Sequence, residues 1–202
     1  MRRPTAPFLF KLREKASVFL TELHPAPDAA SRLALLATVR KRDFDATHHC
    51  SAWREGAPVR AWGADDDGEP GGTAGAPMLR VLEGAELTDC LAICTRWFGG
   101  TKLGTGGLVR AYTESLQGAL TGAEAEGRLE TLRVLRRGEI RVALELAHLP
   151  FAVLGAFPEA VLEHQDRGGT EAVLRFALPP GREDELAHAW RERSRGGEVT
   201  WL

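Results

Sequence analysis

The chain lacks any long hydrophobic run. Its unbroken apolar stretches reach about five residues, as at Cys90–Cys94, against about twenty residues for a membrane-spanning helix. The first residues, Met1-Arg2-Arg3-Pro4, are basic, but Phe8-Leu9-Phe10 is followed at once by Lys11 and Arg13, so no secretory signal is expected. No C-x-x-C pair occurs among the three cysteines, Cys50, Cys90 and Cys94. An odd count without an export signal predicts reduced thiols and a cytoplasmic protein. Lysine is scarce beside arginine, a bias of GC-rich or heat-adapted sources that does not bear on activity. A charge excess is missing too. The net charge of −2 excludes a molecule that binds polyanions over its whole surface, so any nucleic-acid site must be a local basic patch. No internal repeat and no low-complexity tract is present.

What remains is an ordinary globular composition, and 202 residues suffice for one large or two small domains. Residues 1–7 read as a loose tail. Lys15–Leu23 predicts a strand, broken by His24-Pro25-Ala26-Pro27. Asp28 is placed to cap a helix through Arg40, with Leu33, Leu36 and Ala37 on one face. His48–Arg54 and Val59–Ala64 read as a hairpin. A glycine and acid loop, Gly63–Gly72, leads to Thr73, a candidate cap for a helix to about Leu82, with Pro77 tolerated in its first turn. Asp89–Phe98 is continuously apolar rather than alternating, which predicts a central strand covered on both faces. After the loop Gly99–Gly107 a helix runs to about Leu120, with Leu108, Tyr112, Leu116 and Leu120 on one buried face.

The texture changes at Gly122–Arg128, the expected linker, which divides the chain into domains 1–124 and 125–202. Beyond it the order is strand (Glu139–Ala147), helix (Phe151–Phe157), two strands (Ala160–Gln165, Ala172–Leu178), helix (Glu183–Arg193) and strand (Glu198–Leu202). That βαββαβ order is the one of a ferredoxin-like half-sandwich, and the fold class expected is α+β with two domains.

Two segments carry candidate chemistry. In Thr95–Tyr112 a strand ends, glycines turn the chain and a helix begins. The first amides of a helix lack internal partners and carry the positive end of its dipole. This helix start holds no acid; it has Arg110 in its first turns, with Lys102 and Arg96 upstream. The pattern predicts an anion site built from Arg96, Gly99, Gly100, Lys102, Gly104, Thr105, Gly106, Gly107 and Arg110. The competing reading is a tight glycine turn with solvated cations. Neither a Walker loop nor a dinucleotide fingerprint fits, because Thr105 follows Gly104 where Lys is required and Val109 stands where the last glycine would fall.

The second segment, Asp65–Gly75, concentrates carboxylates beside another helix start. Asp66, Asp67 and Glu69 allow Mg²⁺ binding or the positioning of a water, but turn formation and pairing with the basic loop are favoured over a metal. Thr73 and Gly75 shape that helix start. His48 and Cys50 share one strand face. Zinc would need partners from elsewhere, and a Cys–His nucleophile pair has no support beyond composition; no G-x-S-x-G elbow is present. No metal or other cofactor is expected. Trp53, Trp62 and Trp97 lie near strand ends, where core packing is favoured over base stacking.

Three stretches together resemble a known family. Asp45-Ala46-Thr47-His48-His49-Cys50, then Asp66-Asp67-Gly68-Glu69-Pro70-Gly71-Gly72-Thr73-Ala74-Gly75-Ala76-Pro77, then Thr95-Arg96-Trp97-Phe98-Gly99-Gly100-Thr101-Lys102-Leu103-Gly104-Thr105-Gly106-Gly107-Leu108-Val109-Arg110-Ala111-Tyr112 look like the signature of the IMPACT/YigZ family. Trp97 stands where Tyr is usual and His49 where Asn is common. The resemblance implies an N-terminal domain similar to the second domain of a small-subunit ribosomal protein. It also implies a C-terminal domain similar to the last, ferredoxin-like domain of elongation factor G. Eukaryotic members are translation regulators that act through protein contacts in the amino-acid starvation kinase pathway and carry an extra RWD domain for it. That domain and that role are not expected here, since the first strand already includes Lys15. Bacterial members are proposed to bind nucleic acid. The expectation is a non-enzymatic RNA- or ribosome-binding modulator of translation, with Arg96, Lys102 and Arg110 on phosphates. His48, Asp66, Asp67, Glu69, Thr73, Gly75 and Tyr112 would support the site. An enzyme acting on a phosphorylated small molecule or nucleotide is the alternative, and a protein-interaction adaptor a further one.

Overall fold

The computed structural model describes residues 1–132, 134–166 and 168–202. The chain divides into two units, Met1–Leu132 and Arg133–Leu202.

The first unit contains strands β1 (Arg2–Pro4), β2 (Phe8–Glu14) and β3 (Ser17–Pro25), helix α1 (Ala29–Arg42), strands β4 (His48–Glu55) and β5 (Ala61–Asp65), helix α2 (Gly75–Gly84), strand β6 (Cys90–Trp97), helix α3 (Thr105–Ala125) and strand β7 (Leu129–Thr131). Five strands form one sheet in the order β2-β3-β6-β4-β5, and each pairing is antiparallel. The continuously apolar segment is its middle strand, as expected. Alternate residues of β6 serve two cores. Cys90, Ala92 and Cys94 pack under α2 and α3 with Phe19, Met78, Leu108, Tyr112 and Leu116, while Leu91 and Ile93 meet Val39, Leu35 and Leu36 of α1 on the other face. This is the period of two in a strand covered on both sides.

Local chemistry explains the helix starts. The Asp28 carboxylate accepts from the Ser31 amide at 2.8 Å and closes a capping box on α1. The face of α1 differs from expectation: Leu33 is 69% exposed, and the inward residues are Leu35, Leu36 and Val39. Thr73 does not cap α2. Its hydroxyl donates to the Pro70 carbonyl, and no side chain at the N-cap residue itself, Ala74, serves the helix. Asp66 does so from a distance, accepting from the amides of Gly72 (2.6 Å), Ala74 (3.0 Å) and Gly75 (2.8 Å).

The start of the chain is not a loose tail, because β1 pairs with β7 in register Arg2↔Thr131 to Pro4↔Leu129. Gly122 does not begin a linker either. Helix α3 continues to Ala125, and Gly118 and Gly122 lie where a Cβ would collide with the rings of Phe10 and Phe8 on β2. The glycines there serve close helix-on-sheet packing. Residues 125–131 therefore belong with the first unit, against a sequence-based division after 124.

The second unit runs β8 (Arg136–Ala143), a 3₁₀ turn (Leu144–Leu146), α4 (His148–Leu154), β9 (Val161–Asp166), β10 (Glu171–Leu178), α5 (Glu183–Ser194) and β11 (Thr200–Trp201). The sheet order β11-β8-β10-β9 is antiparallel throughout, the arrangement of a split βαββαβ half-sandwich. Ile140, Phe157, Phe176, Leu178, Leu186 and Trp190 fill its core. The protein is thus α+β with two units. No helix among the described residues is long and apolar enough to cross a membrane.

Candidate functional site

The two motif segments meet in the first unit at a cleft of about 390 Å³ between β4, β6, the acid loop and the start of α3. Its floor is a buried polar group. Arg96 has the same strand parity as Cys94, so its side chain is turned under α3. It is 5% exposed. Its Nη1 donates to Glu69 Oε1 at 2.6 Å and its Nη2 to Ser17 Oγ at 3.2 Å. Tyr112, one turn after Leu108, donates to the same Glu69 Oε1 at 2.7 Å. A buried ion pair of this kind is held by its extra hydrogen bonds, because desolvation of both charges offsets much of the attraction. One donor is left over: Arg96 Nε is buried with no acceptor among the described residues.

His48 borders the cleft beside Glu69. Its Nδ1 lies 2.8 Å from the Asp67 carbonyl oxygen; a carbonyl only accepts, so Nδ1 carries the proton. Nε2 is then the outward nitrogen, 3.9 Å from Glu69 Oε2. Cys50 lies beneath, with Sγ 3.0 Å from the Asp66 carbonyl and 3.3 Å from Tyr112 Oη. Burial pushes the thiols of Cys50, Cys90 and Cys94 up, the latter two to about 12. All three are buried and free and poorly suited to act as nucleophiles. Burial likewise raises the Tyr112 hydroxyl far above its ordinary range, which leaves it a hydrogen-bond donor.

The mouth belongs to α3. Gly104 precedes the helix with φ 73° and ψ 165° and supplies no side-chain cap. The first helical bond is Leu108 N–H to the Gly104 carbonyl at 2.9 Å. The amides of Thr105, Gly106 and Gly107 have no acceptor among the described residues, as the geometry of a helix start dictates. Lys102 is exposed and lines the cleft with Thr105. Pro70, Phe98, Leu103 and Leu108 supply an apolar wall.

The expected basic cluster is therefore smaller than the sequence suggests. Arg110 follows Leu108 by two residues, about 200° round the helix. Leu108 is buried at the cleft, so Arg110 is turned away and exposed. Arg96 faces the cleft but is matched by Glu69. Two glycines of the motif answer internal demands: a Cβ at Gly99 would collide with the Ala16 backbone, and one at Gly75 would lie 2.8 Å from the Asp65 amide nitrogen. Gly100 takes φ 86° in the turn itself.

The acid loop is occupied by the protein's own donors. Burial alone would raise the Asp66 carboxyl, but its three amide hydrogen bonds outweigh this and hold it below the usual range. Asp67 takes Arg40 at 2.6 Å and the His49 amide at 2.6 Å. Among the described residues no group of three His, Cys, Asp or Glu side chains is placed to hold a metal ion. Pairing between the acid and basic segments, the favoured expectation, is realised as Glu69–Arg96. Trp53 lies under Arg32 at 3.7 Å, and Trp97 Nε1 donates to Asp45; the aromatic side chain at the cleft is Phe98. Sequence reasoning missed Ser17, Phe98 and the Cys50–Tyr112 contact. The available signal was a large aromatic placed just after a buried strand and just before a glycine turn.

The Impact N-terminal domain model matches residues 15–120. IMPACT family member YigZ of Escherichia coli (strain K12) is 35% identical over 197 residues, covering 96% of this chain and 93% of the relative. An IMPACT family member in the pol 5'region of Thermus thermophilus is 37% identical over 178 residues, covering 83% and 87%. A crystal structure of a hypothetical protein aligns over 100% of this chain and 95% of that one, with a TM-score of 0.60 and 33% identity. With the motif-bearing half matched as a domain and a relative aligned over nearly its whole length, the chain belongs to the IMPACT family.

Proposed function

We propose that this chain is a non-enzymatic RNA- or ribosome-binding modulator of translation, acting in the cytoplasm, and that it holds a phosphate in the cleft at the start of α3. The observation that carries the reading is the open helix mouth: unpaired amides of Thr105 and Gly106 beside Lys102, above an arginine with a spare buried donor. The family resemblance supplies the translational context. The likeness expected between the two units and domains of a ribosomal protein and of elongation factor G belongs to the same proposal, as an analogy of fold.

The test is equilibrium binding of structured RNA across a salt series. Each phosphate contact contributes about 0.9 to the log–log slope. Lys102→Ala is expected to weaken binding and lower the slope by about one, whereas Arg110→Ala, on the other side of α3, has little effect. Unchanged affinity and slope in Lys102→Ala would remove the cleft from the reading.

A second reading, an enzyme acting on a phosphorylated small molecule, is favoured by one observation. His48 Nε2 and Glu69 border the same cleft, the pairing of a potential base with a carboxylate. Turnover of any nucleotide or phosphoester that is lost in His48→Ala would support it; a panel without turnover counts against it.

A further inference from the structure

The cleft has features that binding an internal RNA phosphate does not require. Its volume, about 390 Å³, falls in the range of small-molecule sites, roughly 300–1,000 Å³. Its floor is closed by Arg96 and Glu69, both buried. One wall is apolar, and Phe98 there is 43% exposed with the Arg96 guanidinium 5.5 Å from its ring centroid. A bare inorganic anion makes no use of such a wall, whereas a nucleobase stacks on an exposed aromatic face.

We propose that the cleft takes a single unpaired nucleotide by its phosphomonoester, a terminal phosphate rather than an internal diester; the inference rests on the phosphate-binding reading above. The closed floor favours the monoester. An internal diester must let the chain leave the cleft on both sides, whereas a terminal phosphate can end against the Arg96–Glu69 floor, with Lys102 and the amides of Thr105 and Gly106 as its donors. A monoester presents three strong acceptor oxygens and a charge of about −1.5 to −2 at neutral pH. The buried Arg96 cation is already balanced by Glu69, so the charge of the phosphate falls to Lys102 and the helix dipole.

The experiment compares short single-stranded oligoribonucleotides carrying a 5′-phosphate, a 3′-phosphate or only hydroxyl ends, each with a reporter dye on the opposite end. A nucleoside 5′-monophosphate and inorganic phosphate serve as competitors, against the full chain and Phe98→Ala. A terminal phosphate is expected to strengthen binding about tenfold or more. The monophosphate should compete well and inorganic phosphate poorly. Phe98→Ala should bring the monophosphate down toward the level of inorganic phosphate, and an unchanged advantage of the monophosphate in that variant overturns the stacking contact. Equal binding of phosphorylated and hydroxyl-ended RNAs overturns the inference and leaves RNA binding standing. Competition by inorganic phosphate equal to that of the mononucleotide overturns the nucleotide assignment. Binding of the mononucleotide without any RNA binding upholds the inference and overturns the RNA reading.

Discussion

Glu69 is the residue on which most of the cleft depends, because one carboxylate, 3% exposed, serves Arg96 and Tyr112 and faces His48. Removing one partner of a buried ion pair leaves an uncompensated charge, at a cost of about 3–5 kcal/mol. Glu69→Ala is expected to destabilise the chain by that amount in urea unfolding. Tyr112→Phe, which removes one hydrogen bond but keeps the ring against Phe19 at 5.1 Å, is expected to cost about 1 kcal/mol. Asp66 acts at the same scale through three amides, and Asp66→Ala is expected to cost about 1–2 kcal/mol by uncapping α2. The motif composition pointed to these residues, but their division of labour was not legible. A side chain's parity on its strand decides whether a charge points to water or to the core, and the length of a buried strand does not reveal which charges at its end remain inside.

Among the elements, α3 separates two kinds of helical glycine. Alanine at 118 would press a methyl into the Phe10 ring, and overpacking of this sort costs about 1–3 kcal/mol. The same substitution at 106, where space is open, is expected to be neutral or slightly stabilising. Melting curves of the two variants check the contrast. Helix α1 is tied to the sheet differently. Glu22 is buried beside His24 and accepts from Arg42 near the helix end. Burial raises its carboxyl, but the hydrogen bonds from His24 and Arg42, with the Arg42 charge, bring it down from 4.5 to about 2. A carboxyl depressed in the fold binds protons more readily in the unfolded chain. This stabilisation is therefore full above pH 4.5 and lost as pH falls toward about 2. Urea midpoints should decline over that window, and Glu22→Gln should flatten the decline.

Elements with a local cause were readable in advance: the central strand from its unbroken apolar run, and the start of α1 from Asp28. The β1–β7 pairing was not, since it joins residues some 125 positions apart and leaves no local periodicity. Gly122 misled for a related reason, because a glycine that admits a distant ring looks in sequence like one that ends a helix. The buried face of α1 was only partly legible: Leu36 is inward as expected, but its companions are Leu35 and Val39 rather than Leu33 and Ala37, a phase set by a sheet whose position the sequence does not supply.

At the scale of the whole molecule, every cleft residue lies in the first unit. A fragment of residues 1–132 is expected to fold cooperatively and retain the cleft's binding. A fragment ending at 124 loses β7, the partner of β1, and is expected to unfold at lower urea; circular dichroism of both fragments decides. With a net charge of −2 and Lys102 as the exposed cation at the cleft, RNA affinity should depend on salt only shallowly.

Ser17, His48, Glu69, Arg96 and Tyr112 are drawn from five separated stretches of chain, so the floor they make exists only while the entire unit is intact. An unfolded molecule has nothing equivalent to offer, and occupancy is thereby coupled to global melting. Whatever compound settles there must delay denaturation by mass action, by about 2.7 kcal/mol at a hundredfold excess over its dissociation constant. A thermal screen of a metabolite library can accordingly find the natural occupant without any prior guess at its identity.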